Sequence, residues 1–238
     1  MYYLHSIGNL GDFLNCLPVM SGLKNKFGKQ TFIVTHKLKQ FKGFKEFMMY
    51  QDLFEDVLFD DEVSVPQQSL IINPWNARED KQNPSRPLET CRFQNNLLDH
   101  YNVDVEVDDD FVIKFPYMDN ASITLGPLVA DRWTSPVIDT RRSTELLRSS
   151  GKFDNCTWLD YSRPLLENCF IIDTTPNVMY TTFTGVSVLG DLLKKDMIIF
   201  WQDELKNWDN KTIEYSYQKH FYQDRNSKLV YLDDWLPN

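Results

Sequence analysis

The chain has 238 residues, 42% hydrophobic and 14% aromatic, with 25 basic against 34 acidic side chains and a net charge of -9. That composition buries a sizeable core and lies outside the disordered regime, and its acidic balance argues against binding duplex nucleic acid over the whole surface. No apolar run approaches the ~20 residues of a membrane span, and the start MYYLHSIGNLGD lacks the basic n-region of a signal peptide, so the expected location is the cytoplasm.

In chain order, YYLH at 2–5 reads as a first strand. Phe13, Leu14, Leu17, Met20, Leu23 and Phe27 then recur at helical spacing up to Gly28. TFIVT at 31–35 reads as a second strand, and Phe41, Phe44, Phe47 and Met48 outline a helix. DVLFD at 56–60 and SLIINPW at 69–75 supply two more strands. The polar, proline-containing stretch 76–90 reads as a long loop bordering a site, followed by a helix over about 89–101 and by FVIKFP. YMDNA near 117–121 reads as a linker, after which SITLG opens a second alternation of strands and helices. There CFIID at 169–173 is expected to be a strand and the residues from 177 a helix; MIIFW and KLVYL are expected to be strands.

This order predicts an α/β protein of two small Rossmann-like domains, residues 1–117 and 118–238, with a ligand crevice between them. Four scattered cysteines form no CxxC pair and no zinc-ligand spacing, so no metal or cofactor is expected. Asp108-Asp109-Asp110 contains a DxD string, but within an acidic run it reads as a solvated turn. Residues 1–50 hold seven lysines against Asp12 and Glu46. Acidic residues gather in FEDVLFDDE and DVEVDDD. These read as solvated surface, although a basic flank beside a site also favours an anionic acceptor.

Ser6-Ile7-Gly8-Asn9-Leu10-Gly11 departs from a dinucleotide fingerprint at its first position, and the second strand ends without the expected acidic residue. Asp12 at the helix start would oppose a bound pyrophosphate. Two readings of Asp12 stay open: a helix-stabilising acid of the first turn, or a general base at the mouth of a cleft, with Gly8, Asn9 and Gly11 shaping the loop nearest an acceptor. The late stretch DTTPN offers a helix amino end at Thr174, Thr175 and Pro176, which suits an anion, although an ordinary connection has the same composition.

Together these stretches resemble the bacterial lipopolysaccharide heptosyltransferases and related two-Rossmann-domain glycosyltransferases of the GT-B type. Gly11-Asp12-Phe13-Leu14-Asn15-Cys16-Leu17-Pro18 is similar to the family's opening IGDxLxxxPxxxxL, Asp131-Arg132-Trp133 to a basic residue near tryptophan, and Asp173-Thr174-Thr175-Pro176-Asn177 to its later DTGxxH. Thr175 stands for the motif glycine, Val178 for the histidine, and the chain is shorter than usual members. The resemblance implies metal-independent hexosyl or heptosyl transfer from a nucleotide sugar to a saccharide or other hydroxyl-bearing acceptor, with inversion. In it Asp12 is the base, and Arg132, Asp173, Thr174, Thr175 and Asn177 hold the donor. The alternatives are a non-catalytic nucleotide-sugar binding module and a phage-type enzyme acting on modified DNA; the acidic balance puts a nucleic-acid acceptor second.

Overall fold

The computed structural model describes residues 3–6, 9–73, 75, 77–80, 83–118, 128–130, 141–176, 178–201 and 212–235. A first parallel sheet runs β3-β2-β1-β4, with β1 Tyr3–Ser6, β2 Gln30–Val34, β3 Phe54–Phe59 and β4 Leu70–Ile72. A second runs β6-β5-β7-β8-β9, with β5 Leu128–Ala130, β6 Thr157–Trp158, β7 Met179–Thr182, β8 Met197–Trp201 and β9 Lys228–Tyr231, again all parallel. Parallel strands need crossover connections, and helices supply them. They are α1 Leu10–Phe27, α2 Phe44–Tyr50, α3 Leu88–Tyr101, α4 Arg141–Ser149, α5 Leu165–Thr174, α6 Gly185–Leu192, α7 Ile213–His220 and α8 Leu232–Trp235, with a short 3-10 turn at His36–Gln40. Two Rossmann-like α/β units result, facing a cleft.

Helix α1 is buried along most of its length, from Asp12 to Leu23, because it lies between its own sheet, α3 and α6. Its periodic apolar residues therefore understate its burial. Gly22 is where the segment after α3 crosses it: a Cβ there would stand 2.0 Å from the Glu106 carbonyl oxygen, so only glycine lets the two backbones meet. One continuous core joins both units, from Phe13 and Phe32 through Leu165 and Ile172 to Leu189 and Met197. The outer face of the second sheet has its own smaller core, where Val129 and Phe200 pack with Leu147, Phe153 and Leu232. Leu128 and Val129 thus serve opposite faces, as neighbours on a strand must.

The acidic runs are not free surface. Asp52 pairs with Lys24 and Lys29, Asp61 and Glu62 with Lys39, and Asp56 with Lys45; Lys26 donates to the Asp104 carbonyl. The lysine excess of the first fifty residues is spent largely on these partners. In the DxD string, Asp109 takes two hydrogen bonds from buried Arg86 and one from Asn83, and Asp108 accepts from Ser21. Burial raises the Asp109 carboxyl, but the Arg86 and Asn83 hydrogen bonds win and hold it below the usual range.

One stretch differs from its sequence reading. Cys169-Phe170-Ile171-Ile172-Asp173 is the second half of α5, and the strand follows at β7, inside the stretch expected to be helical. Residues 168–172 are all buried, so neither a two- nor a three-to-four-residue alternation shows in the run. The linker at 119–121 and the strand expected at SITLG lie outside the described residues.

Candidate active site

In each sheet the strand order reverses at one place: between β1 and β4 in the first, between β5 and β7 in the second. Crevices open at such points beyond the carboxyl ends of the strands. Helix α1 starts after β1 and helix α6 after β7, and their amino ends abut. A Cβ on Gly185 would lie 3.1 Å from the Gly11 nitrogen and 3.1 Å from Leu10 Cβ; one on Gly11 would lie 3.5 Å from Val188. Two helix amino ends, each worth about half a positive charge, therefore open side by side, a field that favours an anion beside them and that Asp12 offsets at α1.

Asp12 is the third residue of α1 and 7% exposed. Its Oδ2 accepts the Asn9 backbone N–H at 2.8 Å. Burial raises its carboxyl above the usual range, opposed by the Asn9 hydrogen bond and by the charge of Lys219. Lys219 comes from the far end of the chain, on α7, which packs against α3. Its Nζ stands 4.0 Å from fully buried Glu89 and 5.5 Å from the centre of the Trp75 ring. Arg92 pairs with Glu89 at 3.6 Å and also with Glu79, whose Oε1 accepts the Tyr215 hydroxyl at 2.7 Å. Next to Lys219, the His220 ring is 5.3 Å from that of Phe183, the residue before the α6 cap. Helix α7 thus touches both crevices.

The start of α6 is uncharged. Thr184 Oγ1 accepts from Val186 N at 3.4 Å, and Ser187 Oγ accepts the Thr184 N–H at 3.2 Å, a reciprocal cap.

The sequence-derived donor residues fare differently. Asp173 and Thr174 end α5 and Thr175 caps its carboxyl end, so the expected helix amino end is a carboxyl end, which repels rather than attracts an anion. The hydroxyls of Thr174 and Thr175 donate back to the carbonyls of Phe170 and Ile171, and Lys195 binds the Thr175 carbonyl. A strand-turn-helix stands ten residues on, at Phe183-Thr184-Gly185-Val186-Ser187-Val188, a stretch that agrees with the pattern DTGxxH at Thr184 and Gly185 and differs from it at Phe183 and Val188. Gly8, Arg132 and Asn177 lie outside the described residues. Asn9 caps α1 and Gly11 makes the contact with Gly185. Lys219, Glu89, Arg92 and Trp75 had no sequence signal, because their relation is a matter of packing alone.

Among the described residues no group of three or more histidine, cysteine or carboxylate side chains could hold a metal ion, and no helix is long and apolar enough to cross a membrane. No protein-family model matches the sequence, and no curated protein matches it. Solved structures similar in fold include the following. A glycosyl transferase family 9 protein from Veillonella parvula superposes with a TM-score of 0.57 at 10% identity, over 98% of this chain and 86% of its own. The E. coli heptosyltransferase WaaC with ADP-2-deoxy-2-fluoro heptose gives 0.57 at 11% identity, over 97% and 93%. The same enzyme with ADP gives 0.54 at 10% identity, with the same coverage. Such likenesses establish architecture: the chain has the two-domain GT-B fold, its halves meeting where Gly11 faces Gly185.

Proposed function

We propose that this protein is a glycosyltransferase that moves a sugar from a nucleotide-sugar donor to an acceptor hydroxyl, with inversion and without a metal ion. The observation that carries the reading is the meeting of two helix amino ends beside one buried carboxylate. A hydroxyl attacks poorly until its proton is removed, and Asp12, whose carboxyl burial raises above the usual range, accepts that proton as attack develops. The departing nucleoside diphosphate gains negative charge, which the uncharged amino end of α6 and the Lys219 ammonium stabilise in place of a divalent cation. Thr184, Gly185 and Ser187 take over the donor-holding role that sequence gave to Asp173, Thr174 and Thr175; Arg132 and Asn177 join them on the strength of the resemblance. Residues to about 117 then form the acceptor unit and those from 118 the donor unit, working in the cytoplasm.

A second reading, a nucleotide-sugar binding module without turnover, is favoured by Phe183 and Val188 at the carboxylate and histidine positions of the motif. Assays of donor hydrolysis and transfer on wild type and Asp12→Ala separate the two. Turnover in wild type that is lost in the variant, with nucleotide binding retained, supports the enzyme. Equal binding without turnover in both supports the module.

A further inference from the structure

We infer that the indole of Trp75 is a stacking platform for the sugar ring of a saccharide acceptor, a subsite of the crevice that holds Asp12; the acceptor role rests on the glycosyltransferase reading above. Trp75 follows the carboxyl end of β4, the strand beside β1 at the reversal point of the first sheet, and leaves 50% of its surface in water. Its position does not come from burial of the ring. The Trp75 N–H donates to Asn73 Oδ1 at 2.9 Å, and the Asn73 N–H donates to Asn96 Oδ1 at 3.1 Å, Asn96 being buried on α3. Further along, Asn95 binds the Arg78 carbonyl at 2.8 Å and Asp99 grips the Arg78 guanidinium with both oxygens. Helix α3 therefore anchors the backbone at Asn73, Trp75 and Arg78, so the indole projects from a fixed point of the chain.

The chemistry around the ring selects the ligand. A pyranose offers one face of C–H bonds, which suits an indole face, and a rim of hydroxyls, which suits ammonium and carboxylate groups. Lys219 at 5.5 Å from the ring centre, next to Glu89, supplies that rim and links the platform to Asp12. Recognition of an anionic polymer would need unspent cations instead, and Lys24, Lys29, Lys39 and Lys45 are paired with carboxylates.

The test uses the full chain labelled with 5-fluorotryptophan, in which Trp75→Phe assigns one fluorine resonance among six tryptophans. Methyl glycosides of glucose, galactose and mannose are titrated with ADP or UDP present. The Trp75 resonance is expected to shift with at least one glycoside. Trp75→Ala is expected to weaken that glycoside about ten-fold while Trp75→Tyr restores most of the loss, nucleotide affinity staying unchanged in both. The inference is overturned if no glycoside moves the resonance, if the glycosides move only other tryptophans, or if a thymidine oligonucleotide moves it when no glycoside does. Failure of wild type to bind any nucleotide, with the Trp75 shift intact, would overturn the glycosyltransferase reading and leave the sugar subsite standing.

Discussion

The opening turns of α1 and α6 are built alike and equipped differently. Each follows a strand at a reversal of sheet order and opens a helix at the same meeting point, with glycine admitting the other backbone. The first carries a buried carboxylate on its opening turn; the second carries the two hydroxyls of Thr184 and Ser187 and no charge. A carboxylate at a helix amino end neutralises the local field, whereas an uncharged cap leaves that field for a ligand. On the proposed reading the pair divides the work: one end moves a proton, the other receives an anion.

The largest effect that sharpens this division is on turnover. Asp12→Asn removes the base and keeps the size, so kcat is expected to fall by about 10²–10⁴ while nucleotide affinity is kept, measured with saturating donor. Equal losses in both quantities would break the division. Gly22→Ala damages α1 far from its amino end; the clash with the Glu106 carbonyl is expected to cost about 3 kcal/mol, seen as a thermal midpoint about 6–12 °C lower, with nucleotide affinity of the folded protein unaltered. Thr184→Val removes the α6 cap and is expected to cost about 1 kcal/mol of stability and to weaken nucleotide binding without shifting the pH profile.

Lys219→Met tests the charge balance at Asp12. Lys219 holds the Asp12 carboxyl down against burial, so its loss raises that carboxyl further. The base works only when ionised, so the acid limb of kcat/KM is expected to move to higher pH. A limb that stays in place contradicts the assignment of Asp12.

A smaller effect concerns the other end of α6. Burial pushes the Asp191 carboxyl to about 7; one oxygen accepts the Tyr222 N–H and the other has no hydrogen-bond partner among the described residues. Its pKa is higher folded than unfolded, so its contribution to stability is full below about pH 4 and is lost as the pH rises through about 7. Asp191→Asn lacks this dependence. Its melting point is expected to gain a few degrees on wild type between pH 5 and pH 8.

Most strands and helices were legible because their apolar spacing matches one exposed and one buried face, as in α2, where Phe44, Phe47 and Met48 are buried and Glu46 and Tyr50 are exposed. The exception, α5, lost its period because every residue from Asn168 to Ile172 is covered. That misreading placed a helix amino end at Thr174 and Thr175, where the structure has a helix carboxyl end. A local signal for the amino end of α6 was present in the β-branched run Thr181-Thr182 followed by Thr184-Gly185 and Ser187, a strand meeting a capped helix. Asp12 was legible from its place after two glycines. Lys219, Glu89 and Trp75 were not, since residues 75, 89 and 219 come together only when α7 returns to pack on α3.

The most direct measurement is calorimetric titration of ADP, UDP and GDP into wild type, Gly185→Ala, and the doubly substituted Thr174→Val, Thr175→Val protein. A Cβ at Gly185 presses on Gly11 and Leu10, so the account predicts binding to wild type, about ten-fold or more weaker in Gly185→Ala and unchanged in the double variant. Unchanged affinity in Gly185→Ala, or binding lost only in the double variant, would contradict it.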